Sequence, residues 1–332
     1  MSANPFFSII IPAYNVDKYI ERAVTSILNQ VFKDIEIIIV NDGSTDNTTD
    51  IINNFLKNNS NISIINHSKN ESLHMARMSG VINAKGKYIL FLDGDDYYLK
   101  NSLCILYKYI INNPDFEIYE FGYIERPSGK KVYSFYFGNN RFLDFFNENN
   151  APVSTMWNKV YISSLLKKSF SLMENMYLNN IEDIYESIII AFCADNIYGI
   201  NKSIINYSIG TGVSTTDKDY DKIINYLDSV KLLFIHLDNF IKRNNIKVYL
   251  DNIKYNLLNY TINTYINIRK CEDEKIKLFN ILSTYFDINI ITKYLYQLNK
   301  KNNSIINSPF NKFLKIFLFP LRIIKRFFRK VL

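Results

Sequence analysis

The stretch Ile35–Thr48, IEIIIVNDGSTDNT, decides how the chain folds. Its opening run, IEIIIV, is short, continuous and mostly β-branched, the pattern of a strand buried on both faces of a parallel sheet. Asn41, Asp42 and Gly43 then supply turn chemistry, and Thr45 or Asp46 offers a side-chain oxygen to cap a following helix. A strand that passes through a polar turn into a helix is the first half of a βαβ unit.

Working outward, the same pattern recurs on both sides. Phe6–Ala13 (FFSIIIPA), Ile62–Asn66 and Tyr88–Leu92 read as strands, while Asp17–Gln30, Thr45–Lys57 and Glu71–Ala84 carry helical apolar spacing behind a polar capping residue. The alternation predicts an α/β fold: a doubly wound, mainly parallel sheet with flanking helices and a ligand beyond the carboxyl ends of its strands. Asn15, Asp42 and the cluster Asp93–Asp96 each follow a strand end, so they are expected on one rim. From Asp115 to Phe137 the pattern becomes hairpin-like, turning at Pro127-Ser128-Gly129. Glu182–Ala194 reads as a helix and Ile197–Ile209 as one or two strands. Beyond Asp217 only helical periodicity remains, to about Asn302. The expected organisation is a ligand-binding domain over 1–216, a helical region over 217–305 and a basic amphipathic tail over 306–332.

Charge supports that division. The 332 residues hold 39 Lys or Arg against 32 Asp or Glu, yet Pro309–Leu332 carries seven of the bases and no acid, so the remainder is neutral. A neutral body without a basic groove argues against nucleic acid. Three widely spaced cysteines, Cys104, Cys193 and Cys271, suit neither a disulfide framework nor a zinc site and fit a reducing compartment. No apolar run approaches the ~20 residues of a membrane span, and the N-terminus leads straight into a strand pattern without a signal-like segment. A cytoplasmic protein with peripheral membrane contact is expected.

The run Tyr88–Asp96, YILFLDGDD, places three carboxylates around one glycine where a strand leaves the core. Such crowding is unfavourable unless a cation or hydrogen-bond donors offset it. Mg²⁺ or Mn²⁺ held by one or two carboxylates and a substrate's phosphates would do so; solvated acids or a cap for the helix starting near Leu99 would also explain the pattern. Asp42, fixed beside a flexible glycine, could serve as a turn residue or accept a hydrogen bond from a nucleobase imide.

In order and separation, SIIIPAYN, IEIIIVNDGSTDNT, ARMSGVINAKGKYILFLDGDD, MWNKVY and IED resemble the inverting glycosyltransferases of family 2, which have the GT-A fold. The resemblance covers about residues 6–215. It implies that Pro12, Tyr14, Asn15 and Asp42 hold the base of a nucleotide-sugar and that Arg77 lies near its diphosphate. It implies that Asp93 lies near the ribose or donor sugar, that Asp95 is a metal ligand and that Asp96 is a further acid. Asp183 matches the catalytic base, Trp157 and Lys159 match an element on the acceptor side, and Glu182, beside the base, is placed on the acceptor side with them. Ser72 and Met78 replace a glycine and an asparagine common in the family, so that loop is expected to have its own shape. His74 is a candidate phosphate contact, though a helical histidine is more often structural; Trp157 also suits a core, and Asp183 a helix cap.

The chemistry these residues would perform is self-consistent. A divalent cation would offset charge on the departing phosphate oxygen, and a carboxylate would take the acceptor hydroxyl's proton. The N-terminal dipole of a helix would keep Asp183 ionised. In-line attack on an α-linked donor would give a β-linkage. The expected activity is metal-dependent (Mn²⁺ or Mg²⁺) inverting transfer from a nucleotide-sugar, a UDP-sugar being favoured. The acceptor would be a saccharide of a surface glycan: lipooligosaccharide, capsule or lipid-linked oligosaccharide. A nucleotidyltransferase on a similar fold and a non-catalytic membrane-associated assembly module are the alternatives; the first lacks a glycine-rich basic triphosphate loop here.

At the C-terminus, a rotation of ~100° per residue gathers Arg322, Lys325, Arg326, Arg329 and Lys330 on one arc. Leu321, Ile323, Ile324, Phe327, Phe328, Val331 and Leu332 fill the other, after a break expected at Pro320. A basic amphipathic helix with exposed phenylalanines suits an anionic membrane surface; docking on the protein's own core is the competing reading. The first suits a lipid-linked acceptor and a place on the inner face of the cytoplasmic membrane.

Overall fold

The structure is a computed structural model that describes residues 4–133, 155–178, 181–210 and 220–245. The chain divides into two compact units, Met1–Thr215 and Thr216–Leu332. In the first, β1 (Phe7–Ala13), α1 (Ile20–Leu28), β2 (Ile35–Asn41), α2 (Thr48–Asn58), β3 (Ile62–Asn66), α3 (Leu73–Asn83) and β4 (Tyr88–Phe91) alternate as the periodicity predicts. There follow β5 (Tyr97–Tyr98), α4 (Ser102–Asn112), β6 (Ile118–Arg126), β7 (Lys131–Val132), β8 (Lys159–Ile162), α5 (Ser163–Ser171), α6 (Glu182–Cys193) and β9 (Ile197–Ser208). They build one sheet in the order β3-β2-β1-β4-β8-β6-β9-β5, with β7 paired to β6.

The β3-β2-β1-β4 half is parallel, as right-handed βαβ crossovers require. At β8 the direction reverses: β8 runs antiparallel to both β4 and β6, whereas β6 and β9 are parallel. The result is a mixed, mostly parallel sheet flanked by helices. Both faces are covered, which is why β1 is buried along its whole length. Ile9 and Ile11 share one core with Ile20, Val24 and Ile27 of α1. Ile10 points to the other face, where α3 approaches so closely that a Cβ on Gly80 would lie 2.4 Å from Ile10 Cγ2.

The first two helices begin three residues later than their spacing suggests, for local reasons. Val16–Tyr19 closes a turn in which the Val16 carbonyl accepts the Tyr19 and Ile20 N–H groups, so α1 starts at Ile20. Asp46 accepts the Thr48 and Asp17 N–H groups, keeping residues before α2 out of the helix. The short β5, β8 and α5 were not anticipated; β8 has only four residues, beginning at a lysine, too few for a periodic signal. Ile197–Ser208 is one strand, with irregular register opposite Gly122.

In the second unit, α7 (Tyr220–Asn244) buries Tyr226, Val230, Leu233, Leu237 and Phe240 at helical spacing. The rest of the expected helical region and the amphipathic tail lie outside the described residues.

Candidate active site

The carboxyl ends of β1, β2 and β4 form the predicted rim. Pro12 is buried in β1 opposite Val40, while Tyr14 and Asn15 emerge into solvent. Asn15 adopts a left-handed φ of 52°, and its Oδ1 accepts the Thr45 N–H at 2.8 Å, tying the β1 loop to the β2 loop. Asp42 is buried. Its Oδ1 accepts the Glu71 N–H at 2.9 Å and pairs with His67 Nδ1 at 2.7 Å, and its Oδ2 accepts the Ser72 N–H at 3.0 Å. Asp42 thus holds the start of α3, and Ser72 sits at φ 99°, a conformation that favours glycine. The serine occupies backbone suited to the glycine common in the resembling family, and Asp42 secures it.

The acidic corner follows β4. The Asp95 carbonyl accepts Arg22 Nη2 at 2.6 Å and Ser208 Oγ at 2.8 Å, and Asp96 Oδ1 accepts the Ser208 N–H at 2.7 Å. Asp96 Oδ2 is buried without a hydrogen-bond partner. Burial pushes Asp93 up to about 7, with Arg77 opposing and Asp95 and Asp183 adding to the rise. Burial, then Asp93 and Asp95, push Asp96 up to about 9. Ionising both acids together would put more negative charge in the corner than its hydrogen bonds offset, a charge that a hard cation would balance. Among the described residues no three His, Cys, Asp or Glu side chains converge as a complete cation cage. A cation here would need further oxygen ligands, such as phosphates and water. Tyr207 faces this corner, its phenol raised to about 12 by burial and then by Asp96, Asp93 and Asp95. Trp157 stacks on Tyr207 with ring centroids 4.7 Å apart.

Arg77 of α3 lies at the centre of the site and is 1% exposed. Its Nη1 donates to Asp183 Oδ1 and, at 2.9 Å, to Glu186 Oε2; Nη1 is 3.9 Å from Glu182 Oε1, and Nη2 is 3.8 Å from Asp93 Oδ1. Although burial opposes its charge, these carboxylates hold Arg77 well above its ordinary value. Burial raises Asp183, with Arg77 pulling against it and Glu186 adding to the rise. Burial, then Asp183, push Glu182 up to about 8. Asp183 lies in the first turn of α6, as expected, but burial outweighs whatever the helix dipole contributes there. Its side chain keeps 22% exposure, so a second molecule can reach it.

Three residues stand differently from expectation. Arg77, expected beside a diphosphate, is instead an interior cation joining Asp93 to Asp183. Lys159, expected on the acceptor side, is buried: its Nζ donates to the Thr155 carbonyl at 2.7 Å and lies 3.4 Å from Glu120 Oε2. Burial lowers its pKa against the pull of Glu120 and Asp183. Trp157 is likewise interior. His74 is structural: Nδ1 meets Glu186 Oε1 at 2.9 Å, and Nε2 donates to the Glu174 carbonyl at 3.2 Å. Arg22, His67 and Glu186 escaped the sequence reading. Only Glu186 left a signal, as a charge three residues after Asp183 that interrupts the apolar face of α6.

Residues 8–170 match the profile of Glycosyl transferase family 2. The chain is 29% identical over 222 residues to "Glycosyltransferase GlyA" of Streptococcus pneumoniae, covering 62% of this chain and 31% of GlyA. It is 48% identical over 93 residues to the "Chondroitin synthase" of Pasteurella multocida, covering 28% of this chain and 10% of the synthase. The chain thus spans about a third or less of these two proteins. The fold is that of S. aureus TarS 1-349 in complex with UDP-GlcNAc, with a TM-score of 0.62 and 19% identity over 84% of this chain and 80% of that one. TarS shares the GT-A arrangement of a mixed, mostly parallel sheet with flanking helices.

Proposed function

Residues 8–170 belong to glycosyltransferase family 2, and from that premise we propose that the protein transfers a sugar, with inversion, from a UDP-sugar to a saccharide of a surface glycan. The observation that carries the reading is the grouping of Asp93 and Asp183 around one guanidinium, each within 4 Å of Arg77. It sets the carboxylate of the donor-side motif beside the carboxylate proposed as base, across the end of the sheet. The UDP-sugar assignment leans on the TarS complex with UDP-GlcNAc, and the surface-glycan assignment on the chondroitin synthase.

In this proposal Pro12, Tyr14, Asn15 and Asp42 receive the uracil, and Asp93 the ribose or donor sugar. Asp95 would hold Mn²⁺ or Mg²⁺, which supplies a Lewis acid to the departing phosphate oxygen. The acceptor hydroxyl passes its proton to Asp183 as its oxygen attacks the anomeric carbon from the side opposite the leaving diphosphate. Arg77 takes Asp183 Oδ1, which leaves Oδ2 for that proton. Lys159 and Trp157 act from behind the surface, one as a buried charge near Asp183 and the other as support for Tyr207.

The test is calorimetric titration of UDP, GDP and CMP into wild type and Asp95→Asn, with and without Mn²⁺. UDP binding that depends on metal and is lost in Asp95→Asn is expected. Absence of nucleotide binding under every condition would overturn the reading in favour of a non-catalytic module.

A further inference from the structure

Behind Asp183 a buried chain of contacts runs from Asp183 to Arg77, from Arg77 to Glu186 and from Glu186 to His74, and its last two members have no part in the reaction outlined above. Both hydrogen bonds from Arg77 leave the same nitrogen, Nη1, which has two N–H groups. One goes to Asp183 and the other to Glu186. His74 and Glu186 are both fully buried, so Glu186 cannot swing into water to release the guanidinium. The ring of His74 is clamped as well. Its Nε2 faces a carbonyl, an acceptor only, and its Nδ1 faces a carboxylate oxygen, so one proton lies between Nδ1 and Glu186 Oε1.

We propose that Glu186 is a positioning residue for Asp183: it takes one of the two N–H groups of Arg77 Nη1, leaving a single one for Asp183, and His74 locks it in that role. The proposal rests on the reading of Asp183 as the base. A carboxylate gripped by a whole guanidinium would be a poor base; one sharing it keeps its affinity for a proton. The charged or titratable groups facing Asp183 are Arg77 on α3, Glu182 and Glu186 on α6, Asp93 after β4, and Lys159 and Tyr161 on β8. Of these carboxylates, Glu186 alone makes a hydrogen bond to the nitrogen that holds Asp183.

Glu186→Gln isolates the effect. The amide can still accept from Arg77 and donate to His74 Nδ1, so the packing of the chain is kept, but a neutral amide oxygen competes with Asp183 for Nη1 far more weakly than a carboxylate does. His74→Leu should reproduce the change by leaving Glu186 with no partner on Oε1, and His74→Asn, which restores a donor, should recover wild-type behaviour. The first readout is the carboxyl carbon-13 shift of Asp183 in the full chain, titrated without ligand and assigned by its loss in Asp183→Asn. The second is UDP release from a panel of UDP-sugars as a function of pH.

Asp183 in Glu186→Gln and His74→Leu is expected to titrate about one pH unit lower. UDP release is expected to fall about tenfold with the donor KM unchanged, the scale of a weakened general base. An unaltered Asp183 titration in both variants would overturn the proposal, and the His74 pair decides the matter even if Glu186→Gln folds poorly. Undiminished UDP release by Asp183→Asn would instead remove Asp183 as base. An inactive Asp183→Asn beside a Glu186→Gln of unchanged titration and rate would remove only the role of Glu186.

Discussion

At the scale of single residues, the site rests on buried charge, and buried charge is costly when left unpaired. Arg77 neutralises carboxylates that come from two separate parts of the chain, α6 and the loop after β4. Removing it leaves them facing one another without a cation. Arg77→Met, which keeps the side-chain bulk, is expected to lower unfolding free energy by about 3–5 kcal/mol, the usual cost of breaking a buried pair from one side; urea denaturation would measure it. Glu182 makes a complementary prediction about pH. Its carboxyl is raised to about 8 in the folded protein, while an unfolded glutamate titrates near ~4.3. Between those values the folded state binds the extra proton, so stability falls as pH rises through the window. Glu182→Gln should therefore flatten the decline in stability between about pH 5 and 8. An identical slope in wild type and variant would show that Glu182 gives up its proton as readily in the fold as out of it.

At the scale of elements, α3 transmits the position of the sheet to the site. It carries His74, Arg77 and Gly80 at successive spacings of three residues, so Arg77 lies between the buried histidine and the glycine that meets β1. With Ile10 Cγ2 only 2.4 Å from where a Cβ would stand, Gly80→Val must push the helix off the strand. The overpacking is expected to cost about 1–3 kcal/mol, and the shift should loosen Arg77 from Asp183, so UDP release should fall by more than the lost stability alone explains. Thermal unfolding and UDP release measured on the same preparation would separate the two effects. The helix itself was legible in the sequence, as were the first four strands, because each runs through enough apolar residues to show its period. Asp42 and the Asp93–Asp96 cluster were legible because each follows a strand end, whereas Asp183, in the first turn of a helix, was marked by the family resemblance. Arg77's partners were not: Asp183 and Glu186 lie 106 and 109 residues further along the chain. No local pattern encodes a pairing across that distance. The burial of Lys159 was hidden for a related reason, since a lysine opening a four-residue strand reads as surface until Glu120 is seen beside it on β6.

At the scale of the whole molecule, the distribution of charge matters more than its total. The formal charge of +7 belongs to the last 24 residues, and the rest is balanced. Long-range attraction to an anionic surface would therefore act on one end of the chain. No described helix is long and apolar enough to cross a membrane. Each Lys or Arg near an anionic leaflet contributes about 1 kcal/mol, and buried phenylalanine and leucine side chains add to that. We propose that Arg322, Lys325, Arg326, Arg329 and Lys330, which helical spacing would gather on one arc, bring the chain to such a leaflet. Deleting residues 309–332 is expected to abolish co-sedimentation with liposomes rich in anionic lipid while leaving UDP binding intact. Raising the salt should weaken the full chain's binding in parallel, because surface attraction is screened beyond ~10 Å at 0.1 M. Undiminished sedimentation of the truncated protein would move the membrane contact to another surface and leave the tail free to pack on its own chain.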